Sequence, residues 1–345
     1  MVERLTVNAL ASFDVPVNFL VNSSDDELTR FQDIGNIDAS TRQDNNLLAA
    51  ITARHDLHWC LLSYYYLRQQ STLEVKLTNS ILSGAINIAH TVHLESMGRP
   101  PDAFVVSIRA DFRRRPWAHY HIVQNRGQVE ENTSCIYLWP QPGLIERDKS
   151  RTAVENIAYV GQTINGNLAW SAERWERLLS EHNFKFKIPV LTRWSDMNDV
   201  DAVVAVRSFD DNPYNNKPPS KLINAWHAGT VFIGGADSAY AQVGKDGVNY
   251  IEARSPDAVI SALRRIREDP DYYGLLRNNG FLAARRYSID GIRKTWIEAL
   301  RGPIYERYMR WTRRRKLELV RTRVIGEIDL HANAFRRVVR GTLRT

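Results

Sequence analysis

The sequence predicts an α/β protein built from two Rossmann-like domains, followed by a basic helical tail. Short apolar runs typical of buried strands alternate with helical patterns over most of the chain, an order that favours parallel sheets with helices on their faces. The chain has 345 residues, of which 43% are hydrophobic, and is therefore long enough for two cores of ordinary size. A break rich in proline lies near the middle. We therefore assign residues 1–150 to a first domain, 151–300 to a second and 301–345 to the tail.

In the first domain, strand-like runs are separated by polar or basic connections. Residues 5–9 and 15–21 are candidate strands, and residues 46–67 have a helical pattern. The clearer strand-like runs cover residues 73–77, 86–89, 104–108, 121–124 and 135–138. Two prolines and a glycine in residues 139–143 end regular structure, and the polar residues 146–155 complete a predicted linker.

The second domain shows a clearer order of strands and helices. The predicted elements are a strand at 157–160, a helix at 170–179, strands at 184–190 and 202–206, a helix from 220, and strands at 230–233 and 248–251. A capped helix follows from residue 255. This order is typical of a doubly wound parallel sheet.

The segment 217–235 predicts a phosphate site at the start of a helix. Its two prolines suit a first helical turn, Ser220 is a good cap residue, and Gly229 suits the left-handed residue that ends a helix. A helix N-terminus carries unpaired N–H groups and about half a positive charge, to which Lys217 and Lys221 would add two cationic donors. The alternative is that Ser220 only caps the helix and both lysines are solvated.

This order of elements resembles the donor-binding half of GT-B fold glycosyltransferases over residues 155–300. The shared pattern is a basic residue at a helix start, a small-residue helix ending in glycine, a strand with a glycine-rich exit, a tyrosine, an acidic-glycine turn and a short apolar strand. The segment from Lys221 to Gly235 also resembles the α1,3-fucosyltransferase branch, although Ser220 and Asn224 stand where that branch has Glu and Asp. The resemblance implies two domains that face each other across a cleft, and a nucleotide diphosphate sugar as donor.

The candidate donor-binding residues come from segments that converge on one edge of the second sheet. In doubly wound folds, ligands lie outside the carboxyl ends of the strands. The residues expected at that edge are Gly161, Gln162, Thr163, Arg207, Lys217, Ser220, Lys221, Gly234, Gly235 and Tyr240.

The candidate catalytic residues come from the first domain. Asp111 follows the strand at 104–108 within a run of arginines, where it would serve as a general base toward an acceptor hydroxyl. The alternative is that Asp111 only pairs with a neighbouring arginine. His90, His93 and Glu95, which follow the strand at 86–89, are the next candidates.

The sequence predicts neither a metal site nor a cofactor. Asp199 and Asp201 have the Asp-x-Asp form of some metal sites, but they precede a strand and are expected in a solvated turn. Two histidine pairs lack a completing ligand. They are His55 with His58 and His119 with His121. The chain also lacks a complete dinucleotide fingerprint and a P-loop, which argues against a nicotinamide dehydrogenase and a P-loop kinase.

The tail holds a large excess of positive charge. Residues 301–345 contain 13 Lys and Arg against 4 Asp and Glu, a surplus above the +7 net charge of the whole chain. The run 313–316 and its apolar flanks predict a basic amphipathic helix that lies on an anionic membrane surface or near a lipid-phosphate acceptor. Nucleic acid is the competing partner. The remaining alternative is a solvated helix that packs on the rest of the protein through its apolar face. We expect the core to end near Tyr308.

The sequence also bears on location. It lacks an N-terminal run of basic and then apolar residues, and its apolar runs are too short to span a bilayer. We therefore expect a cytoplasmic protein, peripheral at the inner face of a membrane. Cys60 and Cys135 are too few for a disulfide framework and are expected to be buried free thiols.

Together these features predict a metal-independent glycosyltransferase of polysaccharide biosynthesis. It would move a sugar from a nucleotide diphosphate sugar to a glycan or lipid-linked acceptor, with helix amides and Lys221 or Arg207 stabilising the departing diphosphate. Two other classes stay open. One is a catalytically silent GT-B-like module that binds a glycan or a partner protein, and the other is a nucleic-acid-binding protein that acts through its tail.

Overall fold

The computed structural model describes residues 13–70, 72–100, 102–164 and 166–342, and side chains of the last helix up to residue 332, except residue 330. The candidate strand at 5–9 lies outside the described residues. Two parallel sheets with flanking helices confirm the predicted α/β class with two Rossmann-like domains. The first sheet uses strands from residues 17–135 and the second uses strands from residues 156–252.

The first sheet has six strands. They are β1 (Val17–Leu20), β2 (Val75–Thr78), β3 (Ile86–His90), β4 (Phe104–Ile108), β5 (Tyr120–Val123) and β6 (Thr133–Cys135). Their order is β2-β1-β3-β4-β5-β6, and the inner strands are buried because helices cover both faces. The strand predicted at 135–138 is observed earlier in the chain, at Thr133–Cys135. Pairing with β5 ends at Cys135, and Tyr137 and Trp139 leave the sheet to pack in the core.

The second sheet has five strands. They are β7 (Asn156–Ala158), β8 (Lys185–Lys187), β9 (Ala202–Ala205), β10 (Val231–Gly234) and β11 (Ile251–Glu252). Their order is β11-β10-β9-β7-β8, so the winding direction reverses between β7 and β9. Strand β11 is shorter than predicted because a turn precedes it, in which Gly247 has φ +69° and its N–H donates to the Tyr250 carbonyl at 2.9 Å.

Thirteen α-helices accompany the sheets in the described part of the chain. In the first domain they are α1 (Asp25–Gln32), α2 (Ile37–Gln43), α3 (Asn45–Ala53), α4 (Leu62–Leu67) and α5 (Thr91–Met97). In the second they are α6 (Ala172–Ser180), α7 (Ser220–Ala228), α8 (Ser238–Val243), α9 (Pro256–Glu268) and α10 (Pro270–Ala284). The last three are α11 (Ile289–Ala299), α12 (Tyr305–Arg313) and α13 (Arg315–Thr342). Single π-helical turns, Leu57–Leu61 and Leu300–Ile304, precede α4 and α12.

The predicted linker packs closely on the second domain. The buried guanidinium of Arg147 lies 2.9 Å from the buried carboxylate of Asp201, which also accepts hydrogen bonds from Arg151 and from the backbone N–H of Asn156. The expectation that Asp199 and Asp201 share a solvated turn is therefore wrong for Asp201, whose carboxylate holds the linker against the sheet.

The chain returns to the first domain after α11. The Tyr308 hydroxyl donates to the Gly84 carbonyl at 3.0 Å, and Trp311 is buried against the same domain. The core does not end near Tyr308 as expected, because Thr322 on α13 is buried and Ile325 packs against a cluster of the first domain. Among the described residues, no helix is both long and apolar enough to cross a membrane.

Candidate active site

A cavity of about 280 Å³ lies between the carboxyl edges of the two sheets. On the second-domain side it lies where the winding reverses between β7 and β9, and on the other side it meets the residues that follow β4 and β5. This is the place at which doubly wound sheets bind ligands. The candidate residues that line it are Asp111, Gly161, Gln162, Arg207, Lys217, Ser220 and Lys221.

One wall of the cavity is the start of α7. The helix begins at Ser220, as predicted, but Ser220 is its first helical residue and not its cap. The cap position is Pro219, and no side chain caps the helix there. The N–H groups of a first helical turn have no partners within the helix, so this end of α7 offers amide donors and the positive end of the helix dipole.

Lys221 lies in this first turn, and its side chain runs past Gly161. A Cβ atom at position 161 would lie 2.7 Å from Lys221 Cε, and Gly161 has φ +146°, so the loop after β7 leaves room that only glycine provides. The Lys221 ammonium lies 5.4 Å from the centre of the Tyr159 ring and forms no ion pair among the described residues. Burial, reinforced by Arg207, lowers the pKa of Lys221 to about 7.

Arg207 follows β9 and adds a second buried cation. Its Nε lies 3.3 Å from Asp237 Oδ1, and its Nη1 donates to Asn167 Oδ1 at 3.0 Å. Burial raises the pKa of Asp237 to about 6, against the opposing effects of Arg207 and Lys221. At pH 7 this corner therefore holds the Arg207 cation, a partly protonated Lys221 amine and a mostly ionised Asp237 carboxyl group. An anion added beside Lys221 would favour the protonated amine.

Asp111 reaches the cavity from the opposite domain and is held by Lys217. The Lys217 ammonium lies 2.8 Å from Asp111 Oδ2, and the Asn216 side-chain amide donates to the Asp111 carbonyl at 3.2 Å. Although burial opposes the effect, the Lys217 ammonium lowers the pKa of Asp111. Asp111 thus pairs with Lys217, from the loop before α7, in place of the neighbouring arginine that the alternative named.

Amide side chains tie the two domains together beside this ion pair. The Asn125 amide donates to the Lys217 carbonyl and to Ser238 Oγ, each at 3.0 Å, and accepts from Gln242 at 2.8 Å. The Gln124 amide donates to the Asn216 carbonyl at 3.0 Å. These bonds fix the loop that carries Lys217 against the carboxyl end of β5.

His93 and Glu95 do not line this cavity. His93 lines a neighbouring pocket of about 390 Å³ that also contains His55 and His90. His55 belongs to both pockets, and its ring stacks on that of His90 with centres 5.0 Å apart. Burial lowers the pKa of His90 to about 3, so this imidazole is neutral at pH 7. Glu95 lies outside both pockets and pairs with Arg115.

Four candidate donor residues also lie off the cavity wall. Tyr240 is buried behind β10, where its ring packs against Phe232 with centres 4.8 Å apart. A Cβ atom at Gly234 would lie 2.7 Å from the Phe232 ring, and one at Gly235 would lie 3.2 Å from a Val206 methyl. These three residues support the site through packing. Thr163 is exposed and lies outside the lining.

Sequence reasoning missed several residues of the cavity. Asn224, one turn after Lys221, lines it and accepts a hydrogen bond from the Gln141 N–H at 3.2 Å. His55 and His58 were weighed only as metal ligands, yet both line the cavity. The helical spacing of Asn224 from Lys221 was a usable signal, whereas the approach of the histidines depends on contacts between distant segments.

Comparison with known proteins yields structural likenesses only. No protein-family model matches the chain, and no curated protein matches it. One similar solved structure is AviGT4, a glycosyltransferase involved in avilamycin A biosynthesis, with 14% identity, coverage of 72% of this chain and 90% of that one, and a TM-score of 0.49.

Two further structures resemble this chain. TarM has 10% identity, coverage of 69% of this chain and 57% of that one, and a TM-score of 0.48. HepE from Anabaena, in complex with UDP, has 13% identity, coverage of 83% of this chain and 99% of that one, and a TM-score of 0.46. The chain thus spans a little over half the length of TarM and almost all of HepE. At such identities the likeness concerns overall architecture.

Proposed function

We propose that this protein is a glycosyltransferase that moves a sugar from a nucleotide diphosphate sugar to a hydroxyl acceptor. The observation that carries the proposal is the position of Lys221 in the first turn of α7, without an ion-pair partner among the described residues and on the wall of a cavity between two Rossmann-like domains. Amide donors and a nearby cation at a helix start suit a diphosphate. The GT-B resemblance of residues 155–300 agrees with this function.

The chemistry of transfer requires stabilisation of the departing diphosphate. As the bond from the sugar to the diphosphate breaks, negative charge develops on the leaving oxygen. The developing charge would be stabilised by Lys221, Arg207 and the amides of α7. These groups are already in position before the reaction, and such preorganisation is the most effective form of electrostatic stabilisation. We propose that these groups supply the positive charge without a bound metal.

We further propose that the acceptor enters from the first domain, where Asp111 would remove the proton of its hydroxyl. The carboxylate is paired with Lys217. A donor phosphate would compete for the Lys217 ammonium, and release of this partner would raise the pKa of Asp111 and make it a better base. The neutral His90, in the adjoining pocket, would hydrogen-bond a sugar hydroxyl. We propose a glycan or a lipid-linked glycan as the acceptor.

A donor screen tests this proposal. The melting temperature of the purified protein is measured with sugar esters of UDP, GDP, dTDP and CMP, since a ligand that binds only the folded state raises it by mass action. We expect one nucleotide to stabilise the wild type and not the Lys221→Ala variant. Lys294→Ala, on the exposed face of α11, is the matched control. Equal stabilisation of all three proteins would contradict the assigned site.

A catalytically silent module is the second candidate, and one observation favours it. Among the described residues that line the cavity, Asp111 is the single carboxylate, and it is already ion-paired. Such a module would bind a donor or a glycan without turnover. Release of free nucleotide diphosphate from the bound donor, with or without added glycan acceptors, separates the two functions.

We also propose that residues 301–345 contact an anionic membrane surface. Their surplus of positive charge favours the cytoplasmic leaflet, which carries the anionic lipids. A peripheral position at that leaflet would bring a lipid-linked acceptor to the cleft. Co-sedimentation with anionic vesicles at low salt, and its loss at high salt, would support this contact. Binding of nucleic acid in place of vesicles would favour the competing partner.

A further inference from the structure

A small third cavity lies between α13 and the first domain. We call it the tail pocket and define it by the lining residues Arg114, His119, Arg307, Glu318, Arg321 and Thr322. Its volume is about 40 Å³, enough for about three water molecules or one tetrahedral anion. It is separate from the cleft that holds Lys221.

Two residues of the tail pocket each have a buried N–H group that finds no hydrogen-bond partner in the described part of the chain. His119 Nδ1 accepts a hydrogen bond from the Val105 N–H at 3.0 Å, so the neutral ring carries its proton on Nε2. That Nε2 atom and Arg114 Nε are both buried and have no hydrogen-bond partner among the described residues. Unpaired buried donors are costly, and an anion is the ligand that would satisfy them.

Positive charge dominates the same residues. Three arginines line the tail pocket with one carboxylate, that of Glu318, which lies 2.8 Å from Arg307 and 3.9 Å from Arg321. Arg114 is also 3.3 Å from Glu130 outside the pocket. Burial, with Arg307 and Arg321, lowers the pKa of His119 to about 3, so the ring is neutral at pH 7.

An exposed apolar stripe runs along α13 beside the tail pocket. Its members are Leu317, Val320, Val324 and Ile328, which are between 53% and 72% exposed. Their spacing of three or four residues places them on one face of the helix. Arg321 lies one turn after Leu317 and connects the stripe to the pocket. An apolar face flanked by basic residues is typical of helices that lie in the membrane interface.

We propose that the tail pocket binds the phosphate group of an anionic lipid while the apolar stripe lies against the bilayer. This inference rests on the membrane contact proposed above and adds a defined site to it. The ligand chemistry is a phosphate ester with one or two negative charges. A lipid headgroup and a free phosphate ester share that chemistry, and the stripe favours the lipid.

Vesicle co-sedimentation of the full chain tests the proposal, with phosphatidylcholine vesicles that contain or lack phosphatidylglycerol. Arg321→Gln and Arg114→Gln each remove one charge from the tail pocket. Arg323→Gln, two residues from Arg321 on an exposed face of the same helix, removes the same charge outside it. We expect each pocket variant to lose about fivefold in affinity for the anionic vesicles. This loss should exceed the loss caused by Arg323→Gln.

The outcomes are distinct. Equal losses of vesicle affinity in all three variants would overturn the tail pocket as the lipid site. They would indicate a diffuse electrostatic contact instead. Calorimetry with inorganic phosphate and glycerol 3-phosphate forms the soluble arm. Binding there that depends on Arg321, without vesicle binding, would overturn the lipid as ligand and identify a soluble phosphate. Binding in neither arm would overturn the anion site. Donor binding at Lys221 is measured separately and does not depend on any of these results.

Discussion

Replacement of Lys221 by methionine tests the electrostatics of the proposed donor site, because methionine keeps a long apolar stem and removes the charge. In the free protein the pKa of Lys221 is about 7, so about half of the molecules carry the ammonium at pH 7. A diphosphate at the start of α7 would favour the charged form. Donor binding at pH 7 should therefore take up about half a proton in the wild type and none through position 221 in the variant.

The size of the effect follows from the contact that is lost. A charge-assisted hydrogen bond contributes about 1.5 to 3 kcal/mol, which corresponds to about a 10- to 150-fold loss of donor affinity. Above its pKa the amine must gain a proton before it binds the diphosphate. Wild-type affinity should therefore fall by up to about tenfold per pH unit above pH 7, and the methionine variant should lack this slope.

Isothermal titration calorimetry measures both the donor affinity and the number of protons taken up on binding. Donor binding is followed between about pH 6 and 9 in buffers of different ionisation enthalpy, which reports the protons taken up. A nucleotide diphosphate sugar is the ligand, because its phosphates do not titrate in this range. Lys294→Met, 78% exposed on α11, is the control. Unchanged affinity and an unchanged pH slope in the Lys221 variant would refute the proposed phosphate site.

Four further predictions follow from the same geometry. Asp111→Asn should lower turnover by about 10² to 10⁴ without weakening donor binding, and near-normal turnover would remove Asp111 from the mechanism. Lys217→Ala should weaken donor binding less than the loss of Lys221, since Lys217 already has Asp111 as its partner; calorimetry that ranks them the other way would contradict this. Gly161→Ala should weaken donor binding without removing a charge, because the new Cβ would lie 2.7 Å from Lys221 Cε; an unaltered dissociation constant would count against that contact. The pKa of Lys221 lies below its ordinary value of 10.5, so the unfolded chain binds more protons than the folded protein between about pH 7 and 10.5. The melting temperature of the wild type should therefore gain from rising pH in this window. Lys221→Met should abolish that gain.

The sequence placed the end of the core near Tyr308, but the structure extends the core onto α13. Deletion of residues 312–345 would remove α13, which covers a cluster of the first domain through Ile325. We expect this deletion to lower the melting temperature, while folded protein keeps its donor affinity. An unchanged melting temperature would show that α13 adds nothing to stability.

Local signals predicted the helix that forms one wall of the cavity. The helix Ser220–Ala228 and the left-handed Gly229, with φ +71°, are confirmed because prolines, a following apolar period and a terminal glycine act within a few residues of each other. The role expected of Ser220 as a cap is wrong, since the helix begins one residue earlier than that role requires.

Contacts between distant segments were beyond the reach of sequence patterns. Asp111 and Lys217 are 106 residues apart in the sequence. They meet only because the carboxyl end of β4 and the loop before α7 face each other across the cleft. Asp201 looked like part of a solvated turn, and its burial depends on two arginines of the linker. Burial and pairing of charged groups are tertiary properties, so a single sequence does not specify them.

The most direct test of the central claim is a crystal structure of the protein with the nucleotide diphosphate sugar that the screen selects. We predict that the diphosphate lies within hydrogen-bond distance of Lys221 Nζ and of the first amides of α7, with the sugar directed toward Asp111. A diphosphate bound away from α7, or a cleft that stays empty at saturating donor, would contradict the account.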